Sequence, residues 1–160
     1  MNEEQAQNRS KFVALMWSIV QPGLGHLYLG NKILGVIFMT ISLITLIRTK
    51  LNVTIFCIFT GNFKKANLIF ADNPTLFLPS VYSFAMWHAF NYDVIARKGN
   101  PREYKLTGFF FGFAIGGIPG TGQKFLGTHI ITGLVIGVAT GIMFHLIEKL
   151  ILLMLNRVRP

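Results

Sequence analysis

Two groups of polar residues lie inside apolar stretches and could handle protons. In "YSFAMWHAFNYDVIARK", His88 and Asn91 are three residues apart, and Asp93 follows them. In "GIMFHLIEKL", His145 and Glu148 have the same spacing, which places both on one face of a helix. An imidazole beside a carboxylate can share a proton. Such groups are costly in lipid unless they meet a partner or a wet cavity.

Each group also has a structural interpretation, which we favour. His88 can hydrogen-bond to a neighbouring helix, and Asp93 can pair with Arg97 four residues on. Glu148 can extend to the polar interface or pair with a base there. Because neither group has further ligands at a suitable spacing, we expect no metal centre. The chain also lacks the common nucleophile and zinc-protease motifs, so we predict no catalytic residue and no cofactor and lean against an enzyme.

A repeated glycine-rich motif is the other candidate site. The residues "PGLGHLYLG" at 22–30 recur as "PGTGQKFLG" at 119–127, and each copy joins two apolar runs. Proline cannot continue the hydrogen-bond ladder and glycine accepts left-handed dihedral angles, so we predict that Pro-Gly ends a helix and the chain reverses. We expect two equivalent turns, structural or ligand-facing, formed by Pro22, Gly23, Gly25, His26, Tyr28 and Gly30 and by Pro119, Gly120, Gly122, Gln123, Phe125 and Gly127.

The fifth residue of the motif argues against chemistry in these turns. It is His26 in the first copy and Gln123 in the second, and an amide has no useful pKa for proton transfer. A hydrogen bond to the carbonyls of a broken helix suits both side chains. A phosphate-binding loop would follow a strand and carry a Lys-Ser/Thr pair, and neither feature is present.

The motif resembles families of small bacterial and eukaryotic membrane hairpin proteins, whose two helices are joined by a Gly-rich linker that contains His or Gln. The spelling P-G-x-G-[HQ]-x-[YF]-L-G is most similar to the bacterial versions. His26 and Phe125 depart from the usual Gln and Tyr. The resemblance implies a membrane hairpin in each copy and implies no activity. A similar stretch near the first helix of some sugar permeases keeps transport open.

Small residues also recur at helical spacing on both sides of the second turn. Such a stripe lets two backbones approach closely in lipid. Either the two flanking helices pack on each other, or the glycine face assembles copies or a partner subunit. The residues are Gly108, Gly112 and Gly116 before the turn and Gly133, Gly137 and Gly141 after it.

The composition indicates a membrane protein. Hydrophobic residues make up 52% of the 160 and charged residues only 13%, about half the usual share in a soluble domain. The net charge of +9 is spread over short clusters between apolar runs, so we expect a lipid bilayer and no nucleic acid as partner. Cys57 is the single cysteine, which excludes an intrachain disulfide. Glu3 and Glu4 replace a basic leader, so we expect no cleavable targeting signal.

Six apolar segments are predicted as membrane helices: 11–29, 31–48, 51–63, 76–96, 106–118 and 129–155. About 20 helical residues span a bilayer, so the third and fifth are short. Six crossings with both termini cytoplasmic put eleven of the fifteen basic residues inside, whereas four crossings move the basic loop "RKGNPREYK" outside. We therefore predict an all-α integral membrane protein with about six transmembrane helices, four being the alternative, in a bacterial plasma membrane.

The sequence divides into a single membrane domain, 1–160, with a first hairpin repeat at 10–35, central helices and a basic loop at 36–105, and a second hairpin repeat at 106–160. The main functional hypothesis is a non-enzymatic subunit or assembly factor that meets a membrane-protein partner or self-associates. The alternative is a small transporter or channel component with a site lined by the Pro-Gly-broken helices.

Overall fold

The computed structural model describes residues 9–72, 78–96, 98–100, 103–123 and 126–157. The described residues form α-helices and no strand, which confirms the all-α fold class. The helices are α1 (Lys11–Val20), α2 (Leu24–Tyr28), α3 (Lys32–Thr49), α4 (Leu51–Phe59), α5 (Phe63–Asp72), α6 (Leu78–Phe90), α7 (Tyr92–Ala96), α8 (Thr107–Thr121) and α9 (His129–Arg157).

Two of the described helices are long and apolar enough to cross a membrane. α3 has a mean hydropathy of 1.7 over 18 residues, and His129–Leu155 within α9 has a mean hydropathy of 2.2 over 27. Only 17% and 22% of these stretches is buried, so most of their apolar surface faces outward. The other described helices have 15 residues or fewer. Six transmembrane helices are therefore not supported.

The first predicted crossing, 11–29, is a hairpin of two short helices. α1 ends at Val20, and Gln21 is extended, with φ −154° and ψ 124°, as the residue before a proline prefers. Gly23 then takes φ +103°. A side chain there would be strained and would also collide with the carbonyl oxygen of Gly35, so the turn requires glycine. The prediction that Pro-Gly ends the first helix is confirmed.

After this turn, α2 runs back along α1. A Cβ at Gly25 would collide with the Ala14 carbonyl oxygen and the Ser18 hydroxyl, so the two backbones are in close contact. At the other end of the hairpin, the Arg9 guanidinium lies 5.6 Å from the centroid of the Tyr28 ring. Residue 29 is therefore near residue 9, and not on the far side of the bundle as a single crossing would place it.

The helices define two ends of a bundle. At one end, called here the Lys11 end, the Lys11 ammonium lies 5.4 Å from the centroid of the Phe90 ring. Trp87 Nε1 donates to Thr107 Oγ1 over 3.2 Å, which brings the start of α8 to the same end. At the other end, called here the His129 end, His129 Nδ1 donates to the Thr121 carbonyl over 3.0 Å. α6, which packs against α1, α3 and α8, connects the two ends.

α8 and α9 form an antiparallel pair in which the glycines lie between the backbones. A Cβ at Gly112 would lie 2.6 Å from the Thr140 carbonyl oxygen, and one at Gly141 would lie 2.8 Å from that of Phe109. Thr140 Oγ1 also donates to the Gly112 carbonyl over 2.9 Å. These contacts agree with the interpretation that the flanking helices pack on each other. The same holds for the remaining glycines of the stripe, Gly108, Gly116, Gly133 and Gly137.

Two further predicted segments are also interrupted. The third, 51–63, is α4 followed by a turn in which Gly61 has φ +75°, and α5 starts at Phe63. The fourth, 76–96, is α6 and α7 with a break at Asn91, within its described part. Both interruptions shorten the helices below the length of a bilayer span.

Candidate functional site

The first copy of the motif places His26 in the interior. α2 carries His26 one turn after the Pro-Gly break, and its side chain is completely buried. His26 Nε2 lies 3.0 Å from Nδ1 of His88 on α6, so one ring donates its N–H to the other. The two residues are 62 positions apart in sequence, and the reversal of the chain at Gly23 is what brings them together.

Aromatic rings surround this histidine pair. Phe38 of α3 lies 4.9 Å from His26 between ring centroids. Phe84 and Tyr92 lie 5.9 Å and 6.1 Å from His88. No carboxylate contacts the pair among the described residues, and these hold no group of three metal-ligating side chains. The pair is suited to holding a proton or a hydrogen bond between two neutral rings and is poorly suited to a divalent cation.

Two polar atoms next to the hairpin turn lack a hydrogen-bond partner within the described part of the chain. They are Nδ1 of His26 and the hydroxyl oxygen of Ser18. An unpaired buried polar group costs about 1–3 kcal/mol. Gln21, in contrast, is paired, because its amide donates to Ser42 Oγ over 2.6 Å and so ties the turn to α3. The first turn is therefore closely packed, but two buried polar atoms beside it have no hydrogen-bond partner in the described part of the chain.

The two copies of the motif have different backbones at their starts. Pro119 and Gly120 lie inside α8, which continues to Thr121. Gly122 has φ −74°, and Gln123 is exposed, whereas His26 is fully buried. The prediction that the turns are equivalent is wrong here. The reason is that close packing along α9 holds Gly120 helical, and Pro119 near the helix end removes a single ladder bond.

The ends of the two copies do match. Gly30 has φ +86° and Gly127 has φ +89°. The next residue then caps a helix in both cases: Leu34 N–H donates to Asn31 Oδ1, and Ile131 N–H donates to Thr128 Oγ1. Phe125 lies outside the described residues.

The groups predicted in the fourth segment have separate roles. His88 joins His26, as described. Asn91 is 2% exposed; its amide donates to the Trp87 and Lys105 carbonyls, and its oxygen accepts the Lys105 N–H over 2.7 Å. Asn91 thus holds the segment before α8 against the end of α6. Asp93 is exposed, and its predicted partner Arg97 lies outside the described residues.

The pair predicted in the sixth segment is formed, with a third group. His145 Nδ1 lies 3.2 Å from Glu148 Oε2, and that oxygen also accepts the Gly108 N–H over 3.0 Å. Gly108 is in the first turn of α8, where a carboxylate is favoured by the unpaired N–H groups and the helix dipole. Glu148 therefore connects α9 to the start of α8, which is a structural role.

A cavity at the Lys11 end was not predicted. It has a volume of about 340 Å³ and is lined by charged residues of both signs, Lys11, Lys105, Asp93 and Glu103, together with Phe90, Asn91, Val94 and Tyr104. The residues come from three separate parts of the chain, namely Lys11, 90–94 and 103–105. The only sequence signal was the mixture of charges in the loop after α7.

Comparison of the chain with family models, curated proteins and solved structures finds no match. Over the residues that the structure describes, the fold thus defines an all-helical protein with two helices long and apolar enough to cross a membrane.

Proposed function

We propose that the chain is a non-enzymatic multi-pass membrane protein that serves as a subunit or assembly factor of a membrane complex in a bacterial plasma membrane. The observation that supports this proposal is the exposed apolar surface of the last part of α9. Glu148 is level with the start of α8, because its carboxylate accepts the Gly108 N–H. Six apolar residues follow Lys149, and all are exposed: Leu150, Ile151, Leu152, Leu153, Met154 and Leu155.

This apolar run extends past the Lys11 end of the bundle. At a rise of 1.5 Å per residue, Leu155 lies about 10 Å beyond Glu148. Charged residues such as Lys11 and Lys105 lie at this end, where a polar interface is expected. A helix that is apolar on all sides needs cover from another apolar surface. A membrane-protein partner or a second copy supplies such cover, whereas the headgroup region does not.

In the proposed topology, α1 and α2 form a re-entrant hairpin that enters and leaves at the Lys11 end. α3 and α6 then lead to and from the His129 end, and α8 and α9 do the same. The helix ends that lead to both termini and to the basic segment 97–105 all lie at the Lys11 end. The positive-inside tendency favours such a grouping on the cytoplasmic side. This arrangement meets that tendency with four passes, by α3, α6, α8 and α9, because neither the first hairpin nor the α4–α5 segment crosses. α6 and α8, with 13 and 15 residues, are shorter than a full span and pack against the longer helices.

Affinity purification of the tagged chain in mild detergent, with mass spectrometry, tests the subunit role. We expect a stoichiometric membrane protein, or a defined self-oligomer, that is lost in the double variant Leu150→Ser and Leu153→Ser. Ile33→Ser is the control, since Ile33 is 75% exposed at the start of α3, near the same end. A monomer without a partner, or equal loss in the control, would contradict the proposal.

A small transporter or channel component is the second candidate. The observation that favours it is the buried pair of His26 and His88 beside a Pro-Gly-broken helix, because broken helices line the sites of many transporters. Reconstitution into vesicles with a trapped pH-sensitive dye tests it. Proton flux that is lost in His88→Gln and kept in His145→Gln would favour transport. Vesicles that leak no more than empty ones would count against it.

A further inference from the structure

We propose that the cavity at the Lys11 end binds the headgroup of a phospholipid that carries a primary ammonium beside its phosphate, as in phosphatidylethanolamine. Two basic residues, Lys11 and Lys105, and the acidic residue Asp93 line the cavity. A zwitterionic headgroup presents its phosphate to the two lysines and its ammonium to Asp93. The inference rests on the membrane placement proposed above.

The cavity is held open by contacts in its walls. The Asn91 amide pairs with both the N–H and the carbonyl of Lys105, which fixes the segment before α8. The Tyr104 ring packs edge-on against Trp87 at 5.4 Å, and Trp87 also donates to Thr107. The volume of about 340 Å³ is within the range of small-molecule sites, about 300–1,000 Å³. A ligand therefore meets a formed site.

The charges that line the cavity are available to a ligand. Among the described residues, no salt bridge joins Asp93 to Lys11 or Lys105. Glu103 also lines the cavity, but its carboxylate accepts the Asn100 N–H over 3.3 Å and so belongs to the loop. Opposite charges kept apart around one space fit a ligand that carries both signs. A purely anionic headgroup would meet the Asp93 carboxylate without compensation.

An apolar stripe next to the cavity favours a lipid over a soluble zwitterion. Phe90 lines the cavity and packs edge-on against Phe12, with 5.5 Å between the ring centroids. Phe12 and Met16 are 61% and 56% exposed and lie one turn apart on α1, pointing away from the bundle. A headgroup in the cavity could thus place its acyl chains along α1.

Native mass spectrometry of the full chain, delipidated in detergent and titrated with pure lipids, tests the proposal. We expect phosphatidylethanolamine to bind about three- to tenfold more tightly than phosphatidylcholine, whose quaternary ammonium has no N–H, or phosphatidylglycerol. Asp93→Asn should remove this preference, because phosphatidylethanolamine loses the partner of its ammonium and phosphatidylglycerol no longer meets a carboxylate, so phosphatidylglycerol should bind more tightly than it does to the parent chain. Lys105→Gln should weaken the binding of both, because both carry a phosphate.

Lys149→Gln is the matched control, since Lys149 is exposed on α9 and does not line the cavity. Equal binding of the three lipids, or the same response in Asp93→Asn and Lys149→Gln, would overturn the site. Soluble glycerophosphoethanolamine that competes at the concentration of the lipid would overturn the lipid as its source. Lipid preference without a co-purifying partner contradicts only the subunit role, and a partner without lipid preference contradicts only the headgroup site.

Discussion

At the scale of single residues, the histidine pair connects the hairpin turn to the centre of the bundle. His26 is fully buried and has its Nε2 within 3.0 Å of His88 Nδ1. In the two copies of the sequence motif, His26 occupies the same position as Gln123, which suggested that an amide could replace the imidazole. The structure removes that argument, because Gln123 is exposed. What remains is a stereochemical point: the amide nitrogen of Gln can occupy nearly the position of the imidazole Nε2.

We predict that the pair is energetically coupled. His26→Leu and His88→Leu should each lower the free energy of unfolding by about 1–3 kcal/mol, since each leaves a polar atom without its partner. The double variant should lose less than the two single losses together. His26→Gln should retain most of the stability, because its amide can still donate to His88. Thermal unfolding in detergent, followed by size exclusion, measures all four. Strictly additive losses would show that the hydrogen bond contributes nothing.

At the scale of elements, the repeated motif uses its glycines in two ways. In the first copy, glycine allows a sharp reversal and the close contact of α2 with α1. In the second copy, the helix continues through Pro119 and the glycines serve mainly the packing of α8 on α9. The local sequence is nearly the same, so the surrounding helices decide which structure forms.

The two copies should therefore differ in their response to the same substitution. Gly25→Ala places a methyl group against the Ala14 carbonyl oxygen and the Ser18 hydroxyl, and it should sharply reduce the yield of folded protein. Gly122 has φ −74°, and a Cβ there would meet only the Pro119 carbonyl oxygen, at 3.2 Å. The Gly122→Ala variant should therefore fold nearly as well as the parent chain. Fluorescence-detected size exclusion of a tagged protein makes the comparison. Equal losses would mean that the two turns are equivalent after all.

At the scale of the whole molecule, the first hairpin determines the arrangement of everything after it. A single crossing over 11–29 would put Lys32 on the side opposite to Ser10. The hairpin puts both at the Lys11 end, because α2 returns along α1 and Tyr28 lies near Arg9. Segment 11–29 therefore no longer counts as one of the six predicted crossings.

Cysteine labelling tests this arrangement in a Cys57→Ser background. We expect Ser10→Cys and Lys32→Cys to react with an impermeant maleimide from the same side of the membrane, and Gln123→Cys to react from the other side. All three positions are exposed, so the reagent can reach them. Labelling of residues 10 and 32 from opposite sides would restore the single crossing and refute the re-entrant hairpin.

The sequence by itself determined the features that depend on neighbouring residues. Apolar segments of about helix-spanning length predicted an all-helical chain. Pro22 with Gly23 predicted where the first helix ends, because these residues act on their own backbone. The pair His145 and Glu148 was also accessible, since i, i+3 spacing brings side chains together within one helix.

Only the tertiary structure decided which distant elements meet. His26 meets His88 across 62 positions, and Glu148 reaches Gly108 across 40. The direction in which the chain leaves Gly23 depends on packing against Ala14 and Gly35, which no local pattern records. Apolar runs show that a helix forms, but 11–29 and a true crossing look alike until the partner surface is known. The physical reason is that helix formation is local, whereas the choice of crossing or returning is made by contacts between helices.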